Sequence, residues 1–266
     1  MNLPGKPFFS VIICSIDALK FTQASACYEE LLAGFPHEII GIHDARSLAE
    51  AYNRGLWRTR GSIVIFSHDD IIILDPDFGQ KISHRLEDFD ILGFVGTRRV
   101  IAENWWAAGI PWLSGQVAHP HLPDKILHLS MWNPEPWPVV DGIQGIDGLC
   151  MMARREVAEE IGFDETTFDG FHLYDLDFSF SAWRAGKKLG VCCDIPVIHA
   201  SRGNYDKEHT RYGRLFVEKH KDALPTDTPI INEITGMAAT LPDHHALRAI
   251  WQEDFLRRSW IAFQRR

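Results

Sequence analysis

Ten residues, Gly61-Ser-Ile-Val-Ile-Phe-Ser-His-Asp-Asp70, constrain the architecture of this chain most. The apolar run 61–66 is continuous, β-branched and the length of a typical strand, which predicts a buried strand. It ends in a histidine and two adjacent carboxylates. Carboxylates crowded at a strand end repel one another and are costly to bury without a counter-ion. A divalent cation held by carboxylate oxygens relieves that cost. In open α/β sheets ligands sit at the carboxyl ends of strands, so a metal there points to phosphate chemistry. A solvated turn built on aspartates is the other reading of the same residues.

The rest of the chain alternates. Apolar runs at 8–14, 38–42 and 90–96 read as strands, and segments near 18–33, 47–60 and 78–88 as helices. Ser47 and Glu50 have capping-box spacing, and Gly61 is expected to end that helix. Strands alternating with helices predict a mostly parallel sheet with right-handed crossovers. Residues 98–140 interrupt the pattern. They carry Trp105, Trp106, Trp112, Trp132 and Trp137 among prolines and histidines, and regular elements are hard to place. A long irregular segment inside a compact domain is usually functional or mobile. Flat apolar rings suit the faces of sugars, and they equally suit covering a sheet. Further on, short strands flank Pro196 between 188 and 198, and a helix is expected near 207–222.

Composition excludes several classes. The net charge is −9 over 266 residues, which argues against a nucleic-acid surface. No run of about 18 apolar residues exists, so no membrane span is expected. The first residues lack the apolar core of a signal peptide. Five cysteines without regular spacing do not make a disulfide framework, and Cys14, Cys150, Cys192 and Cys193 lie in apolar runs. A reducing, cytoplasmic compartment is expected. The tail from 236 differs from the body: five arginines against Asp243, Glu253 and Asp254 give it a charge of +2, and it bears Trp251, Phe255 and Trp260. It reads as an amphipathic helix over about 243–264. Such a helix packs on its own domain or a second subunit, or it lies on the inner face of an anionic membrane. The expected division is therefore a domain over 1–235 and a helical tail over 236–266.

The order of motifs is more specific than any one of them. Ser47–Gly61, the acidic strand end, Asp147-Gly-Leu-Cys-Met-Met-Ala-Arg-Arg-Glu-Val, Ile161-Gly-Phe-Asp-Glu and Phe171-His-Leu-Tyr-Asp-Leu-Asp-Phe-Ser-Phe follow one another in that order. This series resembles the family 2 glycosyltransferases of the GT-A fold, most closely the streptomycin-biosynthesis-type group, over roughly residues 8–200. The resemblance implies a central sheet flanked by helices, an irregular acceptor-side insertion and a C-terminal helix. It also implies a metal-dependent, inverting transfer of a sugar from a nucleotide-sugar, UDP- or dTDP-linked, to a glycan or lipid-linked acceptor.

Residue by residue, the resemblance implies that Asp70 ligates a divalent cation, Mn2+ or Mg2+. His68, in the place of the family's first aspartate, and His199, at a later strand end, are further candidate ligands. Asp69 would hold ribose or the ion's waters, and Asp44 the donor base. Asp175 would be the general base, in a Tyr-Asp-Leu-Asp run where the family has Glu-Asp-x-Asp. Tyr174 and Asp147 would lie near the acceptor. Arg54 is a candidate phosphate partner, and Trp105 and Trp106 are candidate sugar platforms. Asp177 reads instead as helix N-terminal charge. Two other functions stay open: a non-catalytic sugar- or nucleotide-binding module on the same fold, and a sugar nucleotidyltransferase. The latter needs a glycine-rich loop after the first strand, where this chain has Ser15-Ile-Asp-Ala-Leu-Lys.

Overall fold

The computed structural model describes residues 5–121, 123–124, 126–132, 137–201, 203, 205–231 and 237–249. Two sheets share one body. The first begins with β1 (Phe9–Cys14), β2 (His37–Ile42) and β3 (Ile63–Ser67), joined through helices α1 (Ala18–Leu31) and α2 (Leu48–Leu56). Alternation along β1 explains the layering, because successive side chains in a strand point to opposite faces. Phe9, Val11 and Ile13 pack with Tyr28 of α1 on one face. Ile12 packs with Tyr52 of α2 on the other. Ser47 caps α2 as its spacing predicts, its hydroxyl accepting the Glu50 amide at 3.0 Å. The helix stops at Leu56 rather than at Gly61. Gly61 instead lets two stretches of backbone approach closely. A Cβ there would meet the Phe8 carbonyl, and its amide donates to Ser10 Oγ at 2.8 Å.

After β4 (Ile71–Ile73) and α3 (Phe78–Arg85), the strand expected at 90–96 proves to be two, β5 (Ile91–Gly93) and β6 (Val95–Thr97). The chain crosses from the first sheet to the second at fully buried Phe94. The 98–140 segment needs the largest correction. It contains a hairpin, β7 (Leu113–His121) and β8 (Ile126–Trp132), in continuous antiparallel register from Gly115–Trp132 to His121–Ile126. Tertiary pairing overrides a composition that reads as loop. β9 (Val139–Ile143), β10 (Gly145–Ile146), β11 (Cys150–Arg154), α4 (Arg155–Ile161), α5 (Tyr174–Arg184), β12 (Leu189–Cys192), β13 (Val197–His199) and α6 (Lys207–His220) complete the body.

The first sheet runs β2-β1-β3-β11-β5-β12-β9. Its pairs β1–β2, β1–β3 and β5–β12 are parallel, while β11 and β9 pair antiparallel, so it is mixed rather than mostly parallel. The second runs β10-β6-β7-β13-β4, with β8 added to β7. The whole is a mixed α/β architecture of sheets flanked by helices.

The tail opens as a strand, not a helix. β14 (Met237–Leu241) pairs antiparallel with β8. A helical turn at 244–249 then buries Leu247 against Leu127, Leu129 and Leu241. Trp251, Phe255 and Trp260, and with them most of the expected amphipathic helix, lie outside the described residues. Among the described residues no helix is long and apolar enough to cross a membrane.

Candidate active site

Sheet topology brings the acidic strand end to its partners. β13 pairs antiparallel with β4, which places His199 opposite Ile71 and beside Asp70. The Ala200 amide donates to the Asp70 carbonyl at 2.9 Å, and the Ser201 amide to Asp70 Oδ2 at 3.0 Å. Asp70 Oδ1 lies 3.2 Å from His199 Nε2, and His68 Nδ1 lies 3.2 Å from the same nitrogen. One ligand atom from each of His68, Asp70 and His199 thus falls within 4.8 Å of the others. Cation bonds of about 2.1 Å at right angles put neighbouring ligand atoms about 3 Å apart, so the spacing fits a small divalent ion. The donor set of two imidazoles and one carboxylate suits a first-row transition cation.

The electrostatics agree with that fit. Burial, helped by the charge of neighbouring His199 and opposed by the nearby carboxylates, pushes His68 down to about 4. The ring is therefore neutral near neutrality, as a metal ligand must be. Burial alone would raise Asp70, but the hydrogen bond and charge of His199 and the bond from Ser201, joined in acid by the charge of a protonated His68, hold it well below the carboxylate range.

The second half of the site comes from the β10–β11 connection and the start of α5. Asp175 sits in the first turn of α5, directly after Leu173 and Tyr174. Leu173 has φ +62°, a left-handed conformation that a leucine keeps only when its surroundings impose it. Gly148 is obligatory here: a Cβ would collide with the Tyr174 hydroxyl and with Asp175. Its amide donates to Asp175 Oδ2 at 2.7 Å. Asp147 accepts the Leu149 amide at 3.1 Å and the Trp105 indole N–H at 3.0 Å. Burial raises the Asp175 carboxyl to about 7, the negative charge of Asp147 adds to the rise, and backbone amides at 176 and 148 oppose it. A carboxylate poised near the working pH is suited to general-base chemistry.

A cavity of about 530 Å³ joins these halves. His68, His199, Asp147, Tyr174, Asp175 and Trp106 all line it. Trp105 reaches its wall too, but the ring is 9% exposed and its N–H is committed to Asp147. Tyr174 is 4% exposed, with its hydroxyl 2.7 Å from His68 Nε2. Asp69 turns the other way and accepts from Ser15 Oγ at 2.6 Å, at the carboxyl end of β1. Asp44 stands exposed just beyond β2, in an ion pair with Arg54 at 2.8 Å. Arg54 also pairs with Glu50 at 3.0 Å, so both its contacts are carboxylates of its own surroundings. Neither Asp44 nor Arg54 lines the cavity.

Sequence reasoning missed one cavity wall. His119 on β7, His128 and Ser130 on β8 and Ala238 on β14 face the cavity, while Leu127 and Met131 turn to the core. The period-two alternation of Ile126-Leu-His-Leu-Ser-Met-Trp was the available signal. Phe171 and Tyr205, each 55% exposed, and Trp106 form an aromatic rim, with the Trp106 and Tyr205 ring centroids 5.0 Å apart.

Comparison with known proteins yields one family and several distant structural likenesses. No curated protein sequence matches. The chain is similar to the mannosyltransferase PcManGT from Pyrobaculum calidifontis in complex with GDP-Man and Mn2+, at 13% identity over 95% of this chain and 70% of that one, TM-score 0.48. It is similar to GalNAc-T7 with UDP, GalNAc and Mn2+, at 11% identity over 97% of this chain and 57% of that one, TM-score 0.48. TarS 1–349 from S. aureus is 11% identical over 82% of this chain and 73% of that one, TM-score 0.42. The model of a glycosyltransferase-like family matches residues 10–220, a span that holds every member of the metal-ligand and carboxylate clusters described above, and the chain belongs to that family and is a glycosyltransferase.

Proposed function

We propose that the protein is a metal-dependent, inverting glycosyltransferase of the GT-A type that moves a sugar from a nucleoside diphosphate to a hydroxyl of a glycan or lipid-linked acceptor. The observation that carries this reading is the shared cavity: His68 and His199, the two members of the His68–Asp70–His199 cluster that line it, and the raised carboxyl of Asp175 open onto the same space. A divalent cation, Mn2+ or Mg2+, held by His68, Asp70 and His199 would neutralise the diphosphate leaving group.

The chain's own residues supply the rest. Asp175 takes the proton of the acceptor hydroxyl. The freed oxygen attacks the anomeric carbon from the face opposite the departing diphosphate, which inverts the configuration. Asp147 keeps Asp175 basic through its charge, and Trp105 holds Asp147 in place. Asp69 and Ser15 line the nucleoside side at the β1 and β3 ends, with Asp44 set to accept from a ring N–H of a UDP- or dTDP-linked donor. The acceptor enters over Trp106, Phe171 and Tyr205, whose faces suit pyranose rings.

The test is a panel of nucleotide-sugars with Mn2+, read first by thermal shift and then by release of nucleoside diphosphate. A donor that binds only the native state raises its melting temperature by mass action. Binding by one donor with Mn2+-dependent transfer supports the reading. Binding without turnover, for every acceptor class offered, favours the binding module.

A further inference from the structure

We infer that Tyr174 is a positioning residue for the metal site: its hydroxyl fixes which nitrogen His68 presents to the cation. The inference rests on the metal reading above and extends it to a residue whose motif position suggests acceptor contact. One imidazole ring spans two neighbours, with Nε2 2.7 Å from the Tyr174 hydroxyl and Nδ1 3.2 Å from His199 Nε2. Nδ1 is therefore the nitrogen turned toward Asp70 and His199. To ligate through Nδ1, a neutral ring must carry its proton on Nε2, and that proton then points at Tyr174. The phenol oxygen accepts it and turns its own hydrogen toward the Gly148 carbonyl, 3.5 Å away.

Everything around Tyr174 holds it in this pose. Its ring packs on Tyr52 and Phe163, with centroids 5.7 and 6.4 Å away. The left-handed turn at Leu173 aims it, and the missing side chain at Gly148 admits its hydroxyl. An outer hydrogen bond of this kind fixes the tautomer and orientation of a ligating histidine, and losing it typically weakens metal affinity about 10- to 100-fold. His68 and Tyr174 both depart from the family pattern described above, and they touch each other. The phenol completes what the imidazole begins. Because the effect passes through a nitrogen ligand, it bears more on Mn2+ than on Mg2+, which prefers oxygen.

The experiment compares native protein with Tyr174→Phe, which keeps the ring and loses only the hydroxyl. Mn2+ and Mg2+ alone are titrated by calorimetry, and melting in chelator is recorded beside them. The expected result is Mn2+ affinity lower by about 10- to 100-fold, a smaller loss for Mg2+, and nearly unchanged melting in chelator. Native-like Mn2+ binding by the variant overturns the inference alone. Equal losses for both ions, or a variant that no longer folds in chelator, overturn it by showing a structural role. Absence of Mn2+ binding by the native protein overturns the metal reading itself, and this inference with it.

Discussion

Asp147 and Asp175 flank one glycine in space: the Gly148 amide is bonded to Asp175, and the carboxylate next to it in sequence is Asp147, held by the Trp105 indole. Burial raises Asp175 to about 7, and the charge of Asp147 adds to the rise, because two carboxylates so close cannot both ionise freely. Transfer should therefore rise with pH through about 7 and level off above it, because the base must be ionised. Asp147→Asn removes the opposing charge and should move the inflection to lower pH. An unmoved inflection in the kcat/KM profile would show that Asp147 does not tune the base.

Asp175→Asn should cost transfer on the order of a hundredfold or more while leaving nucleoside diphosphate binding nearly intact. Single-turnover transfer and calorimetry on the same variant separate the two effects. Native-rate turnover would place the base elsewhere. Asp177, the other acidic residue of that turn, is no substitute, since it is buried and clamped by His220 at 2.8 Å and by Lys219.

The same carboxyl predicts a stability change. Its pKa is raised in the folded protein from an ordinary 3.8 to about 7, so the folded state disfavours the charged form. The contribution is fully present below the ordinary value and is lost as pH rises through about 7. Asn stays neutral throughout. Asp175→Asn should melt higher than native protein above pH 7, with the gap closing in acid. Melting curves across that range check it, and equal melting at alkaline pH would contradict the burial of the charge.

Removing the ion should remove the donor. A nucleoside diphosphate should bind much more tightly with Mn2+ than with chelator, and Asp70→Asn should erase the difference. Calorimetric affinities that are equal with and without Mn2+ would refute the role of the His68–Asp70–His199 cluster.

Leu247 gives a test of the tail. It is fully buried against Leu127 and Leu241. Leu247→Ala should destabilise the protein by about 2–5 kcal/mol, the range for a buried leucine that leaves a cavity. Denaturant unfolding measures this, and a negligible change would mean the turn at 244–249 is not docked.

The legible parts of the sequence were the local ones. The β3 strand and its acidic end, the Ser47 cap and the alternation through residue 96 depend on neighbours a few residues apart. Motif order singled out Asp70 and His199, which the fold brings within 3.2 Å of each other, and Asp175, which lines the cavity. What stayed hidden depends on pairing across the chain. β7 and β8 are specified by each other and by β14, and their tryptophans and prolines mask the period-two pattern. Trp105 reads as a sugar platform until Asp147 is seen to take its N–H. Asp177 reads as helix N-terminal charge alone until α6 brings His220 over it. Tyr174 reads as an acceptor contact until its hydroxyl is found on His68.

The candidate metal ligands His68 and His199 are 131 residues apart in sequence, and they meet only when β13 has docked on β4. On the metal reading proposed above, the ion would bind only protein in which both sheets are in place. Cation uptake would then act as a check on assembly: a chain with its second sheet undocked would lack the group that holds a donor's leaving diphosphate, and would spend no activated sugar on water.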